Sequence, residues 1–123
     1  MEGLLSQTNG EVLAVYFTDA TLTNAQRIAS IGDQLLEAMM RAEHGKLLLN
    51  FQVVRMMSSS MLGKLLALRK RCGESKVDLR LSNICDNIME VFTVTKLDKV
   101  FDIHDTEADA MKAFAKKGWL FRR

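Results

Sequence analysis

Hydrophobic and polar positions recur along this chain with two different periods, and the switches between them mark out the elements. Val12-Leu13-Ala14-Val15-Tyr16-Phe17 is apolar at every position. Six such residues suit a strand in the middle of a sheet, covered on both faces. Asn9-Gly10 separates this run from Leu4-Leu5, and Asn-Gly between strand-like segments predicts a tight hairpin with both residues in the turn. Thr23-Asn24-Ala25-Gln26 reads as a capping box with Thr23 as N-cap. Ile28, Ile31, Leu35, Met39 and Ala42 then recur at steps of three and four, one face of an amphipathic helix, with Gly45 as its stop. Leu47-Leu48-Leu49-Asn50-Phe51 follows as a buried strand.

A second helix is predicted to begin within Ser58-Ser59-Ser60. Met61, Leu65, Leu68 and Cys72 form its inward stripe, and Gly73 ends it. From Lys76 to Ser82 the pattern changes to strict alternation, with Val77, Leu79 and Leu81 set against Lys76, Asp78 and Arg80. Such alternation predicts a strand with one wet face, so helices should cover mainly one face of the sheet. Asn83 is the expected cap of a third helix, with Ile84, Ile88, Val91 and Phe92 inward and Thr93-Val94-Thr95 weakening its end. Val100–Ile103 reads as a last short strand. Asp105 and Thr106 cap a fourth helix with Ala110, Met111 and Phe114 inward, and Lys116-Lys117-Gly118 is its expected end. The order β-β-α-β-α-β-α-β-α predicts an α/β fold: a mostly parallel sheet with an antiparallel N-terminal hairpin strand.

The 123 residues make one expected domain, and 48% apolar with 26% charged residues is ordinary globular composition. The longest apolar run is six residues, so no membrane span is expected. The N-terminus has neither the basic start nor the apolar stretch of a secretory signal, so the expected compartment is the cytoplasm. A formal charge of +2 gives no footprint for nucleic acid. Cys72 and Cys85 lack metal-ligand or CxxC spacing and read as reduced core thiols.

Catalytic chemistry is hard to find. GxGxxG, GxxxxGK[ST] and GxSxG are all missing, and His44 and His104 sit where capping and exposure explain them. Catalytic, cofactor and metal residues are therefore each predicted as none. The triple serine is the informative segment, because it opens a helix directly after a buried strand and a short loop. A helix N-terminus presents free amides and positive potential, so a phosphate on a serine there is accommodated by the fold while reversing the charge shown outward. The plain alternative is a serine serving only as N-cap. Trp119 and Phe121 in the tail 119–123 read as edge packing or a homodimer contact.

Several stretches together resemble the STAS domains, which include the bacterial anti-sigma-factor antagonists. They are Leu47–Phe51, then Val54-Arg55-Met56-Met57-Ser58-Ser59-Ser60-Met61-Leu62-Gly63-Lys64 and the apolar helix behind it. The match continues through Val77–Asn83, Val91-Phe92, Leu97–Phe101 and Asp105–Ala110. The resemblance spans roughly residues 10–115 and follows the family pattern of apolar strand, loop, Asp-Ser-Ser-Gly-Leu-Gly and helix. It implies a partner switch that binds an anti-sigma factor, often itself a serine-protein kinase, and is released by phosphorylation. The acceptor position falls on Ser59. The implied contact surface is Arg55, Met57, Ser58, Ser59, Ser60, Met61 and Lys64. Ser58 stands where the pattern has an acid, and Met61 where it has glycine. The alternative is an unphosphorylated STAS scaffold in a larger signalling assembly or homo-oligomer. Neither reading involves an enzyme, a cofactor, nucleic acid or a membrane.

Overall fold

A computed structural model describes residues 3–121, with side chains described as far as Lys116. Five strands form the main sheet: β1 (Leu4–Asn9), β2 (Val12–Phe17), β4 (Lys46–Asn50), β6 (Asp78–Ser82) and β7 (Asp102–His104). They lie in the order β1-β2-β4-β6-β7, with β1 antiparallel to β2 and the others parallel. Two further strands, β3 (Thr21–Leu22) and β5 (Met56–Met57), form a small parallel pair beside it. These two-residue strands carry no periodicity of their own and were not expected.

The helices α1 (Ala25–Arg41), α2 (Ser59–Glu74) and α3 (Asp86–Val94) pack on one face. Ile28, Ile31 and Leu35, then Met61, Leu65 and Leu68, then Ile88 and Phe92 bury against Leu13, Val15, Leu47, Leu49, Leu79 and Leu81. The fourth helix, α4 (Glu107–Phe121), covers the other face, where Ala110 and Phe114 meet Val12, Ala14 and Leu48. The α/β class, the hairpin strand and the bias of helices to one face all match the pattern. The expected wet face of β6 is partly roofed, however: the Arg80 guanidinium lies over the Phe114 ring, 5.3 Å from its centroid.

Several local expectations are corrected. Asn9 pairs with Val12 as the last residue of β1, so the turn residues are Gly10 and Glu11. Gly10, at φ +60°, takes the first central position, where glycine suits a type II′ turn. Asn24, not Thr23, caps α1, and its side chain accepts from the Arg27 amide at 2.9 Å. The helix stops at Arg41, and Gly45 at φ +69° serves the turn into β4. Asn83 does not cap α3: it sits at φ +61°, and Cys85 takes the cap position without a side-chain bond. Val91 faces solvent, because α3 turns only Ile88 and Phe92 fully inward. Val100 precedes β7 on a turn of 3₁₀ helix at Leu97–Lys99. Thr106 caps α4 by accepting from the Asp109 amide at 3.1 Å. Lys116-Lys117-Gly118 does not end that helix, which continues to Phe121. The side chains of Trp119 and Phe121 lie outside the described residues. Among the described residues no helix is long and apolar enough to cross a membrane.

Candidate partner-binding site

The serine corner is built from the end of β4 outward. Phe51 stacks against Phe17 with ring centroids 4.6 Å apart, and its amide donates to the Ser82 carbonyl at 3.0 Å. Val54 is buried. The amides of Arg55 and Met56 both donate to the Ala20 carbonyl, at 2.7 and 3.2 Å, and the Ser58 amide donates to Leu22 at 3.0 Å. The loop is thus fastened to the segment after β2. That segment is held in turn by Asp19, whose carboxylate accepts from Arg27 Nε at 2.6 Å and Nη2 at 3.0 Å. Hydrogen bonding from Arg27 keeps the Asp19 carboxyl below the usual range, partly opposed by desolvation.

Ser58 has extended backbone and is the N-cap of α2, its Oγ accepting from the Met61 amide at 3.4 Å. Ser59 and Ser60 are the first helical residues, and both are exposed. Neither amide has an acceptor within the helix, as at any helix start. Arg55 is exposed and donates to the Gln52 carbonyl at 3.1 Å. Lys64 is exposed one turn further on, with its stem laid across Gly32 of α1. Met57 and Ser58 are half-buried. Met61 is the exception among the expected contact residues: its side chain is fully buried, so it supports the corner from beneath and offers no surface. Hydrophobic period places it inward, at the position where the family pattern has glycine.

Two exposed apolar side chains were missed. Val53 is 45% and Met56 59% exposed, both in the loop before the serines. Val53-Val54 and Met56-Met57 are apolar doublets, and only the folded loop decides which member of each turns out. A second missed feature lies under the loop. Tyr16, Asn50, Ser82 and His104 sit in register across four parallel strands. Glu107 at the start of α4 accepts from Tyr16 Oη at 3.0 Å and from Asn50 Nδ2 at 2.9 Å. Burial first, then Glu107, raises the Tyr16 pKa. Asn50 Oδ1 accepts from the Gln52 amide at 2.8 Å, so this buried residue ties α4 to the serine loop. His104 Nε2 lies 3.1 Å from Arg80 Nη1, and must accept there, since guanidinium only donates.

The described residues hold no group of three His, Cys, Asp or Glu side chains placed for a metal ion. A cavity of about 470 Å³ lies at the far end of α2, between β6 and residues 100–102, with Arg69, Lys70, Glu74 and Asp102 among its lining residues. It is at the N-terminal ends of the strands, away from the serines.

A rigid sheet that presents an exposed, hydroxyl-rich helix start beside an apolar loop defines an α/β module with a surface suited to another polypeptide. The STAS domain family pattern matches residues 6–110, most of the chain, and the protein belongs to that family. Solved structures agree on the fold. An anti-sigma-factor antagonist (STAS) domain protein from Planctomyces limnophilus is 23% identical with a TM-score of 0.79, covering 91% of this chain and 97% of that one. A serine-to-glutamate variant of RsbS from Moorella thermoacetica is 10% identical with a TM-score of 0.78, covering 94% and 97%. The anti-sigma factor antagonist SpoIIAA of Bacillus, in its unphosphorylated form, is 16% identical with a TM-score of 0.67, covering 91% and 97%. A comparison with curated protein sequences gives no match.

Proposed function

We propose that this chain is a non-enzymatic partner-switching protein. It binds an anti-sigma factor, itself a serine-protein kinase, through the corner made by residues 53–64. Phosphorylation of Ser59 releases it. One observation carries the reading: Ser59 is an exposed hydroxyl at the first helical position of α2, next to exposed Val53 and Met56. A partner that covers this corner desolvates both the apolar loop and the serine. A phosphate there adds roughly 1.5 to 2 negative charges that the free helix amides tolerate in solution, but that a dry interface does not. Arg55, Met57, Ser58, Ser60 and Lys64 complete the contact surface, and Met61 holds it in shape. The likeness to SpoIIAA, whose structure is also known in a phosphorylated form, agrees with such a switch. A cytoplasmic location goes with this role.

A second reading, a STAS scaffold without phosphorylation, is favoured by Ser58 and Met61 at the acid and glycine positions of the family pattern, and by a structural neighbour from the stressosome. Calorimetry with the kinase recovered from the native host separates the two. The switch requires wild type and Ser59→Ala to bind alike while Ser59→Asp binds at least about tenfold more weakly. Equal affinities for all three leave the scaffold. Mass spectrometry of residues 56–64 from growing cells reads the modification directly.

A further inference from the structure

The two edges of the main sheet are unlike. At one end β7 has only three residues and begins with Asp102. At the other, β1 has six, Leu4–Asn9, and none is charged or proline. Its register with β2 runs unbroken from Leu4↔Phe17 to Asn9↔Val12, so no bulge bends it away. Edge strands of soluble proteins are normally guarded by lysine, proline, a bulge or shortness, and β1 has none of these. The Thr18 amide donates to the Gly3 carbonyl at 3.0 Å, which fixes the phase of the ladder. Leu5, Gln7 and Asn9 are then the residues bonded to β2, while Leu4, Ser6 and Thr8 turn their amides and carbonyls to the open edge. Leu5 is 65% exposed on the face of α4.

A small groove runs between this edge and α1, lined by Leu4, Leu5 and Ser6 on one side and Gln34, Glu37 and Arg41 on the other. Glu37 and Arg41 are one helical turn apart and carry opposite charges. Among the described residues neither is in a salt bridge. A partner of a single charge sign meets repulsion from one of them. A two-fold copy of the same surface avoids that repulsion in the arrangement that sets each Glu37 against an Arg41.

We propose that the open edge of β1 is a self-association surface that takes β1 of a second copy of this chain, antiparallel, with Glu37 and Arg41 paired reciprocally across the two-fold axis. The register that uses every outward group is centred on Ser6, with Leu4 opposite Thr8 of the second copy. The two sheets join into one, and each Leu5 is covered. A paired segment of six residues spans about 20 Å, a small contact, so the dimer is concentration-dependent. None of Leu4–Asn9, Glu37 and Arg41 belongs to the serine corner at residues 53–64, and the inference stands apart from the partner-switching reading.

Sedimentation equilibrium of the whole chain from micromolar to millimolar concentration tests it, with circular dichroism to confirm that each variant folds. Wild type is expected to pass from monomer to dimer. Leu5→Lys, at an exposed position, is expected to raise the dimer dissociation constant about tenfold or more, since two like charges then enter one small contact. Glu37→Arg and Arg41→Glu alone each weaken the dimer, and the two combined restore it to within about threefold of wild type. A wild type that stays monomeric throughout overturns the proposal. So does a dimer that all these variants leave unchanged, and so does one lost only on removing residues 117–123.

Discussion

Ser58 does two jobs with one side chain. Its extended backbone (φ −84°, ψ 166°) ends the loop, and its Oγ occupies the Met61 amide that opens α2. The bond is long at 3.4 Å, so Ser58→Ala is expected to cost about 0.5–1 kcal/mol, the low end for a lost cap, in chemical denaturation. The same substitution frays the turn that presents Ser59, so partner affinity falls with it. Met61 behaves as a core residue: Met61→Ala leaves a cavity against Leu65 and is expected to cost roughly 2–5 kcal/mol. Asp19 gives a pH signature. Its carboxyl is held below its ordinary value by Arg27, so it stabilises the fold above the unfolded-state pKa, and that stability is lost as pH falls through the folded value. Thermal denaturation between pH 6 and 3 is expected to show a smaller loss for Asp19→Asn than for wild type.

At the scale of elements, α1 and α2 approach closely because Gly32 has no side chain. A Cβ there meets Lys64 Cδ at 2.9 Å. Lysine is flexible, so the clash is relieved by swinging the stem away. Gly32→Ala is therefore expected to stabilise the fold by up to about 1 kcal/mol through helix propensity, while displacing Lys64 from the site. A higher melting temperature together with weaker partner binding is the expected pair of results. The elements themselves were largely readable, since β2 is an unbroken apolar run, β6 alternates strictly, and α1 and α2 carry helical stripes. The caps were read less well. Thr23 and Asn24 are both good N-caps, and the choice fell to Asn24 because residues 21–22 are drawn into β3. Asn83 looks like a cap, yet it is held left-handed between β6 and α3.

Across the whole molecule, the link from α4 through Asn50 to the Gln52 amide joins the helix on one face of the sheet to the serine loop. Asn50→Ala breaks both bonds and strands Glu107 beside Tyr16, at an expected cost of about 1–3 kcal/mol. Hydrogen exchange of residues 52–58 is expected to speed up more than that of β2 in this variant. Burial of Cys72 pushes its thiol up to about 11, while Cys85 is only half-buried. At pH 8 a thiol reagent is expected to modify Cys85 in the native state, and Cys72 at the rate of global unfolding. Equal fast reaction of both would contradict the packing described.

The hydrophobic periods by themselves determined the order of the four helices and the five main-sheet strands along the chain, the parallel sheet behind its hairpin, and the inward stripe of α2 that buries Met61. They could do so because each depends on contacts that repeat along the chain. Which apolar residues of the loop turn outward, how Asn50 ties α4 to that loop, and which sheet edge stays open were decided only by the tertiary structure. Those features join residues such as Ala20 with Arg55, or Asn50 with Glu107, that are far apart in sequence and leave no period behind.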